Sequence, residues 1–192
     1  IVVSTRRLST LVSNILMITK IENQTMPFTL SSYRVDEQVR QSILLLENKW
    51  SEKNIGFEMD MDSIEFCAVE GLLGNVWSNL IDNAIKFSPE GEIIYISLKE
   101  KDDMLSFKIA NRGEPMSGET LKRIFEKFYQ GDTSHKREGN GLGLALVKKI
   151  VRVHGGSVSA VNTEDGLIEF TVNLLSRYGG REATRHSLIS YA

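Results

Sequence analysis

The sequence has one cysteine, three prolines and no long apolar run. Each shortage closes off a class of protein. A lone Cys67 excludes an internal disulfide framework and suits a reducing cytosol. Set within Ile64-Glu65-Phe66-Cys67-Ala68-Val69, it reads as core filler. No stretch approaches the roughly 20 apolar residues that cross a bilayer, and the N-terminus lacks the apolar centre of a secretory signal. An excess of one charge is missing too. The 23 basic and 25 acidic residues leave a net charge of −2, without the basic stripe of a general nucleic-acid binder. What is present, 192 residues of which 41% are hydrophobic, suffices for one domain with a core and a short appendage.

Leu8, Leu11, Ile15 and Ile18 alternate spacings of three and four, which predicts a helix over Thr5–Glu22 with an apolar seam too narrow for a core face. Such a seam suits pairing with another helix, and Pro27 marks the end of the helical region. Thr29-Leu30 reads as a short strand, Asp36 as the cap of a helix running to Trp50, and Ile55–Met59 as a strand. A helix is expected over Leu72–Phe87, stopped by Ser88-Pro89-Glu90-Gly91. Strands Ile93–Leu98 and Leu105–Ile109 follow around a Lys101-Asp102-Asp103 turn, then an irregular Asn111–Met116 and a helix over Glu119–Tyr129. Gln130–Gly139 is polar and expected to be mobile. A helix from Asn140 to His154 ends at Gly155-Gly156, and Ser157–Val161 with Ile168–Leu174 forms a last hairpin. The mixture implies an α+β fold, a mixed sheet with helices on one face.

Three segments carry chemistry. In Asn79-Leu80-Ile81-Asp82-Asn83-Ala84-Ile85-Lys86-Phe87-Ser88, the residues Asn79, Asn83 and Lys86 share one helical face. Two carboxamides and an ammonium pack poorly, but suit a hard cation and phosphates. Asn83 can give an amide oxygen to Mg²⁺. Gly139-Asn140-Gly141-Leu142-Gly143-Leu144 opens a helix, where free amides and the helix dipole favour an anion. It is not a Rossmann turn, since no strand immediately precedes it, and not a Walker loop, since no Lys-Ser or Lys-Thr closes it. Asn111-Arg112-Gly113-Glu114-Pro115-Met116 presents a polar side chain at a strand end, before a glycine turn.

Taken in order, with Phe125-Glu126-Lys127-Phe128-Tyr129 between the last two, these segments resemble the ATP-binding catalytic domain of sensor histidine kinases. That domain belongs to the wider ATPase superfamily of gyrase, the ninety-kilodalton heat-shock chaperone and the mismatch-repair ATPases. The likeness runs from about Leu30 to Leu175. It implies a two-layer α+β sandwich, a mixed β-sheet with helices on one face, preceded by a single dimerisation-type helix. Residues 1–25 would be the second helix of the dimerisation and phosphoacceptor hairpin, whose first helix is missing. Residues 26–30 would be a linker, 31–176 the catalytic ATP-binding domain, and 177–192 a disordered tail.

The resemblance also implies ATP and Mg²⁺ as cofactors, with Asn83 as the metal ligand. Asn79 stands where ATP-hydrolysing relatives carry a glutamate base, and an amide there fits a site that holds ATP for transfer. Asn79 and Lys86 are the catalytic candidates, Lys86 contacting phosphates, with Phe87 near the nucleotide. Asn111 matches the usual aspartate that accepts the adenine amino hydrogen, and Gly113 leaves the base room. Met116, Leu142 and Leu144 count among the nucleotide-binding residues. Lys136 and Arg137 would reach the phosphates from a mobile lid, and Gly141 and Gly143 would cradle them. Three departures from the family pattern stand out: asparagine at Asn111, Glu114-Pro115-Met116 in place of a second glycine and aliphatic pair, and a last glycine box reduced to Asp165-Gly166-Leu167-Ile168-Glu169-Phe170.

The implied activity is transfer of the ATP γ-phosphoryl group to a histidine on a dimerisation helix absent from this chain, for relay to a response-regulator aspartate. None of His135, His154 and His186 suits the acceptor role. The implied partners are the hairpin, the chain's own or that of a partner subunit, and the response regulator, in a full-length homodimer. The chain would be the cytoplasmic domain of a bacterial protein anchored in the membrane through regions outside it. A kinase acting on serine and an ATP-binding module without transferase activity are the alternatives. The dimerisation-type helix argues against the first, and Asn83, Lys86 and the loop glycines against the second.

Overall fold

Alternation in its three central strands builds the main sheet. Ile94, Ile96 and Leu98, then Leu105, Phe107 and Ile109, then Ile168, Phe170, Val172 and Leu174 all turn to one face and are buried. Period-2 side-chain placement makes that one apolar surface and leaves the other face to water. The computed structural model describes residues 2–23, 29–131 and 141–175, with side chains from Leu8 onward in the first stretch.

The elements run α1 (Val2–Glu22), β1 (Ser31–Arg34), α2 (Val35–Leu44), α3 (Glu47–Glu52), β2 (Gly56–Met61), β3 (Glu65–Ala68), α4 (Glu70–Phe87), β4 (Ile93–Lys101), β5 (Met104–Arg112), α5 (Gly118–Arg123), α6 (Gly143–Val153), β6 (Ser157–Asn162) and β7 (Leu167–Leu175). The main sheet has the order β2-β4-β5-β7-β6, with β2 parallel to β4 and the remaining pairs antiparallel. β1 and β3 form a separate antiparallel pair. α4 packs on β5 and against α6 and α2, so α4 and α6 cover the buried face. Trp77 of α4 lies 4.7 Å from the Phe107 ring and donates its indole N–H to Gln38, so its burial leaves no orphaned donor. This is the expected α+β architecture.

Several local expectations change. The first strand lies at Ser31–Arg34, not Thr29-Leu30. Asp36 does not cap a helix. Arg34 occupies the N-cap without a side-chain bond, and Asp36, fully buried, accepts from Arg34 and Arg40 and from the Ile64 amide. The Arg34 guanidinium, then Arg40 and the Ile64 amide, hold its carboxyl well below the usual carboxylate range against the opposing effect of burial. The helix expected to reach Trp50 breaks at Leu45-Leu46 into α2 and α3. Ile64–Val69 contains a strand, β3, on which Phe66 and Ala68 face inward. Cys67 has the outward parity and is half-buried rather than core filler. The helix expected over Glu119–Tyr129 stops at Arg123, and Phe128 takes a left-handed backbone with φ of 63°. The lid expected at Gln130–Gly139 falls mostly, and the tail from Arg177 wholly, outside the described residues.

α1 is less uniform than a free pairing helix. Ile18 and Ile21 are buried, with Leu11 and Met17 partly buried, and the helix packs on α6. Leu8, Val12, Ile15 and Leu16 remain exposed. Glu22 at its end accepts from Lys127 at 2.8 Å. The C-terminal turns therefore belong to the domain's core, and the apolar stripe nearer the N-terminus does not.

His154 closes α6 and ties it to α4. One ring nitrogen, Nδ1, stands 2.8 Å from the Ile150 carbonyl, and Nε2 accepts the Val69 amide at 3.3 Å. That pattern requires the neutral ring with its proton on Nδ1. Burial holds the His154 pKa below its ordinary value, with the Ile150 carbonyl acting in the opposite sense. Because the folded pKa is depressed, the unfolded chain takes up the proton first. Stability present above about 6.5, the ordinary histidine value, is lost as pH falls through the folded pKa. Urea midpoints measured at about pH 7.5 and about pH 5.5 should differ, and the difference should shrink in His154→Gln. An equal difference in the two proteins would assign the acid response to other groups.

Candidate functional site

α4 brings its polar stripe to the start of α6. Asn75, Asn79 and Asn83 follow one another at four-residue spacing, but only two are engaged. Asn75 donates to the Gly71 carbonyl and Asn79 to the Asn75 carbonyl, each at 2.7 Å. Each bond commits one amide hydrogen to the helix itself, and at Asn79 it leaves the side-chain oxygen facing the start of α6. The Asn79 oxygen then lies 2.6 Å from where a Cβ on Gly143 would stand. Among the described residues, the Asn83 side chain has no hydrogen-bond partner, and it is half-buried on the same stripe. Lys86 extends over the Phe87 ring, 4.6 Å from its centre.

The glycine-rich segment enters helix only at Gly143, three residues later than expected, because Gly141 has φ of +67°. Leu142 is buried in the core and Leu144 partly so, which anchors the turn. Leu142 at the N-cap of α6 makes no side-chain capping bond, so among the described residues the first amides of the helix are open to an anion. Gly141 has no room for a side chain. A Cβ would meet Phe128 backbone at 2.7 Å and the Tyr129 carbonyl at 2.9 Å. The Phe128 amide donates to the Gly141 carbonyl at 2.9 Å. The two ends of the segment containing Lys136 and Arg137 are thus pinned together, while those two residues lie outside the described ones.

Asn111 was expected in an irregular segment but belongs to β5, opposite Ile94 and Ile168, on the buried face of the sheet. A carboxamide in a row of isoleucines is a costly choice unless it has work to do. Its Nδ2 donates to the Arg112 carbonyl at 3.0 Å, which leaves Oδ1 as the available acceptor. The asparagine therefore offers the same acceptor an aspartate would. Gly113 is hemmed in by Ile168 at 3.2 Å, the Phe87 carbonyl at 3.4 Å and Asn111 at 3.5 Å from a notional Cβ. Met116 is held by Asn162, whose amide accepts from the Met116 N–H and donates to its carbonyl. A cleft of about 590 Å³ lies at the C-terminal end of α4, walled by Lys53, Lys86, Phe87 and Arg112–Pro115.

The structure thus brings Asn79 to Gly143, and both Asn111 and the Phe87 carbonyl to Gly113, with Lys86 on the wall of a cleft that Asn79, Asn83 and Asn111 do not line. Ile168 and Asn162, from the reduced last glycine box and the strand before it, were not anticipated. Nothing in their residue types marks them. Only the pairing of β7 with β5 and of β6 with β7 places them. Among the described residues no group of three or more histidines, cysteines or carboxylates could hold a metal. A single amide oxygen such as Asn83, completed by phosphate oxygens and water, fits Mg²⁺, which keeps several waters.

Residues 68–177 match the family described as histidine kinase-, DNA gyrase B- and HSP90-like ATPase. The chain belongs to this family. Within it, the heme sensor protein HssS of Staphylococcus aureus is 31% identical over 170 residues, covering 88% of this chain and 37% of that protein. The chain thus spans little more than a third of that relative's length. Full-length ShkA solved in complex with AMPPNP has a TM-score of 0.76 at 26% identity, over 87% of this chain and 35% of that one. Histidine kinase ThkA, solved in complex with response regulator protein TrrA, has a TM-score of 0.72 at 24% identity, over 92% of this chain and 50% of that one. The fold is that of the ATP-binding catalytic domain of sensor histidine kinases. No helix of the described residues is long and apolar enough to cross a membrane.

Proposed function

We propose that this domain binds Mg·ATP and transfers the γ-phosphoryl group to a histidine on a dimerisation helix outside this chain, for relay to an aspartate of a response regulator. The observation that carries the reading is the unengaged Asn83 amide beside an Asn79 already turned toward the glycine-rich start of α6. Asn83 would hold Mg²⁺, which supplies neutralisation of the phosphate charge. Lys86 would add a second positive charge, and the first amides of α6 would bind phosphate oxygens. Asn79 has no carboxylate to take a proton from water, so bound ATP is kept for transfer rather than hydrolysis. Oδ1 of Asn111 would accept from the adenine amino group. Phosphoryl transfer asks little covalent chemistry of the protein, and positioning accounts for most of the rate.

On this reading residues 1–25 are the second helix of a dimerisation hairpin, and the exposed stripe Leu8, Val12, Ile15 and Leu16 is the face that meets the other helices. The domain would act on its own hairpin or that of a second subunit, on the cytoplasmic side of a membrane-anchored protein. The AMPPNP bound by ShkA and the response regulator bound by ThkA support the choice of ligand and partner. Incubation with γ-labelled ATP and a separately supplied histidine-bearing hairpin should label the hairpin and not this chain. Acid-labile label on this chain alone would overturn the assignment.

A further inference from the structure

The last turn of α4 leaves four carbonyls without partners in the helix, and their accounting singles out one residue. The Ala84 carbonyl accepts both the Ser88 amide and the Ser88 hydroxyl. The Phe87 carbonyl faces Gly113. The carbonyls of Ile85 and Lys86, with that of Ser88 just beyond the helix, converge on the Lys53 ammonium at 2.7, 3.1 and 2.6 Å. An ammonium has three hydrogens, and here three carbonyls take them. Lys53 is far from α4 in sequence and is held in place by its own backbone. Its carbonyl accepts the Gly91 amide at 2.9 Å, and the next residue, Asn54, bonds Glu90. It is a strut from the end of α3 to the end of α4, and it forms part of the cleft wall with Lys86 and Phe87.

We propose that Lys53 is a positioning residue for nucleotide binding, fixing the last turn of α4 so that Lys86 and Phe87 face the cleft. Two effects combine. The positive charge sits at the negative pole of α4, where it offsets the partial charge of the carbonyls beside an incoming polyphosphate. The three bonds also remove the freedom of the turn that bears Lys86, so less order must be imposed when the ligand binds. A neutral, apolar residue of similar length would leave these three carbonyls without their shared donor and the turn free to fray.

The proposal rests on the nucleotide reading above, and a double-mutant cycle separates the two. The affinity of a fluorescent ATP analogue with Mg²⁺ is measured for the wild type, Lys53→Met, Lys86→Ala and the pair, with each fraction folded taken from thermal unfolding. Lys53→Met should weaken binding about tenfold at equal fraction folded, the scale of hydrogen bonds to a charged group. The further loss should be clearly smaller once Lys86 is alanine, because the positioning effect passes through that residue while the charge effect does not. Should Lys53→Met fail to fold, Lys53→Gln, which keeps two neutral donors but no charge, takes its place with a smaller loss expected and the same dependence on Lys86. Absence of ATP binding by the wild type would sink the nucleotide reading itself. Wild-type binding with unchanged affinity in the Lys53 variant, or an equal loss in both backgrounds, would overturn the role given to Lys53.

Discussion

Replacing Asn83 with alanine should abolish Mg²⁺-dependent ATP binding and leave the domain folded. Asn83 is half-buried on α4 and bonds to nothing among the described residues, so its removal costs the fold no hydrogen bond. The apolar side of the helix, with Val76, Leu80 and Ala84 buried, is untouched. Removing a residue that only supports a metal ligand lowers affinity 10–100-fold, so loss of the ligand itself should cost about 100-fold or more. Titration of a fluorescent ATP analogue with and without Mg²⁺, beside a melting curve, measures both halves. A mutant whose affinity still rises with Mg²⁺ as in the wild type would remove Asn83 from the site.

Gly141→Ala should damage both stability and binding. A left-handed backbone costs an ordinary residue about 1–2 kcal/mol, and forcing a methyl into a filled space costs about 1–3 kcal/mol. At Gly141 the two add, because the added carbon meets the backbone of Phe128 and Tyr129 rather than a movable side chain. A loss of about 3 kcal/mol is expected from those two ranges, read as a lower unfolding midpoint in urea. Gly143→Ala makes an instructive contrast. Its notional Cβ meets the Asn79 side-chain oxygen, and its own φ is not left-handed. That amide can swing aside, so Gly143→Ala should lose about 1 kcal/mol at most by overpacking while disturbing ATP binding more than folding. Equal stability of Gly141→Ala and the wild type would show that the approach of Phe128 to Gly141 is not a fixed part of the site.

The parts of this fold that could be read in the sequence are those whose signal is periodic. β7 alternates over its whole length and β4 and β5 over most of theirs, and α4 has both an apolar face and the Ser88-Pro89 stop, so their existence and the buried parity were legible. β3 was not, because its four residues are too few to display a period. The break between α2 and α3 was not, because Ile43-Leu44-Leu45-Leu46 is apolar throughout and hides which leucines leave the core. Asp36 misled for a physical reason. An acidic residue near a helix start usually caps it, and here two arginines and a distant amide outbid the cap. In the site, α4's polar stripe and the glycines were legible from residue types at fixed spacing. Lys53, Asn162 and Ile168 were not, since each acts from a remote part of the chain on a partner that only the tertiary fold brings near.

The position of β5 has a consequence for how the domain is made. Its first neighbour, β4, lies across the two-residue turn Asp102-Asp103, where both residues have positive φ, and such a hairpin closes within about 1–10 μs. Its second neighbour, β7, sets Leu175 opposite Met104 and Leu167 opposite Arg112, so it is synthesised after α6. At about 5–20 residues per second on the ribosome, the far edge of β5 stands open for a time on the order of seconds. Throughout that interval Leu105, Phe107 and Ile109 line an unpaired strand, a ready template for another nascent chain. The period of greatest aggregation hazard therefore falls late, after most of the core-forming residues already exist, and it ends only when the β7 segment emerges.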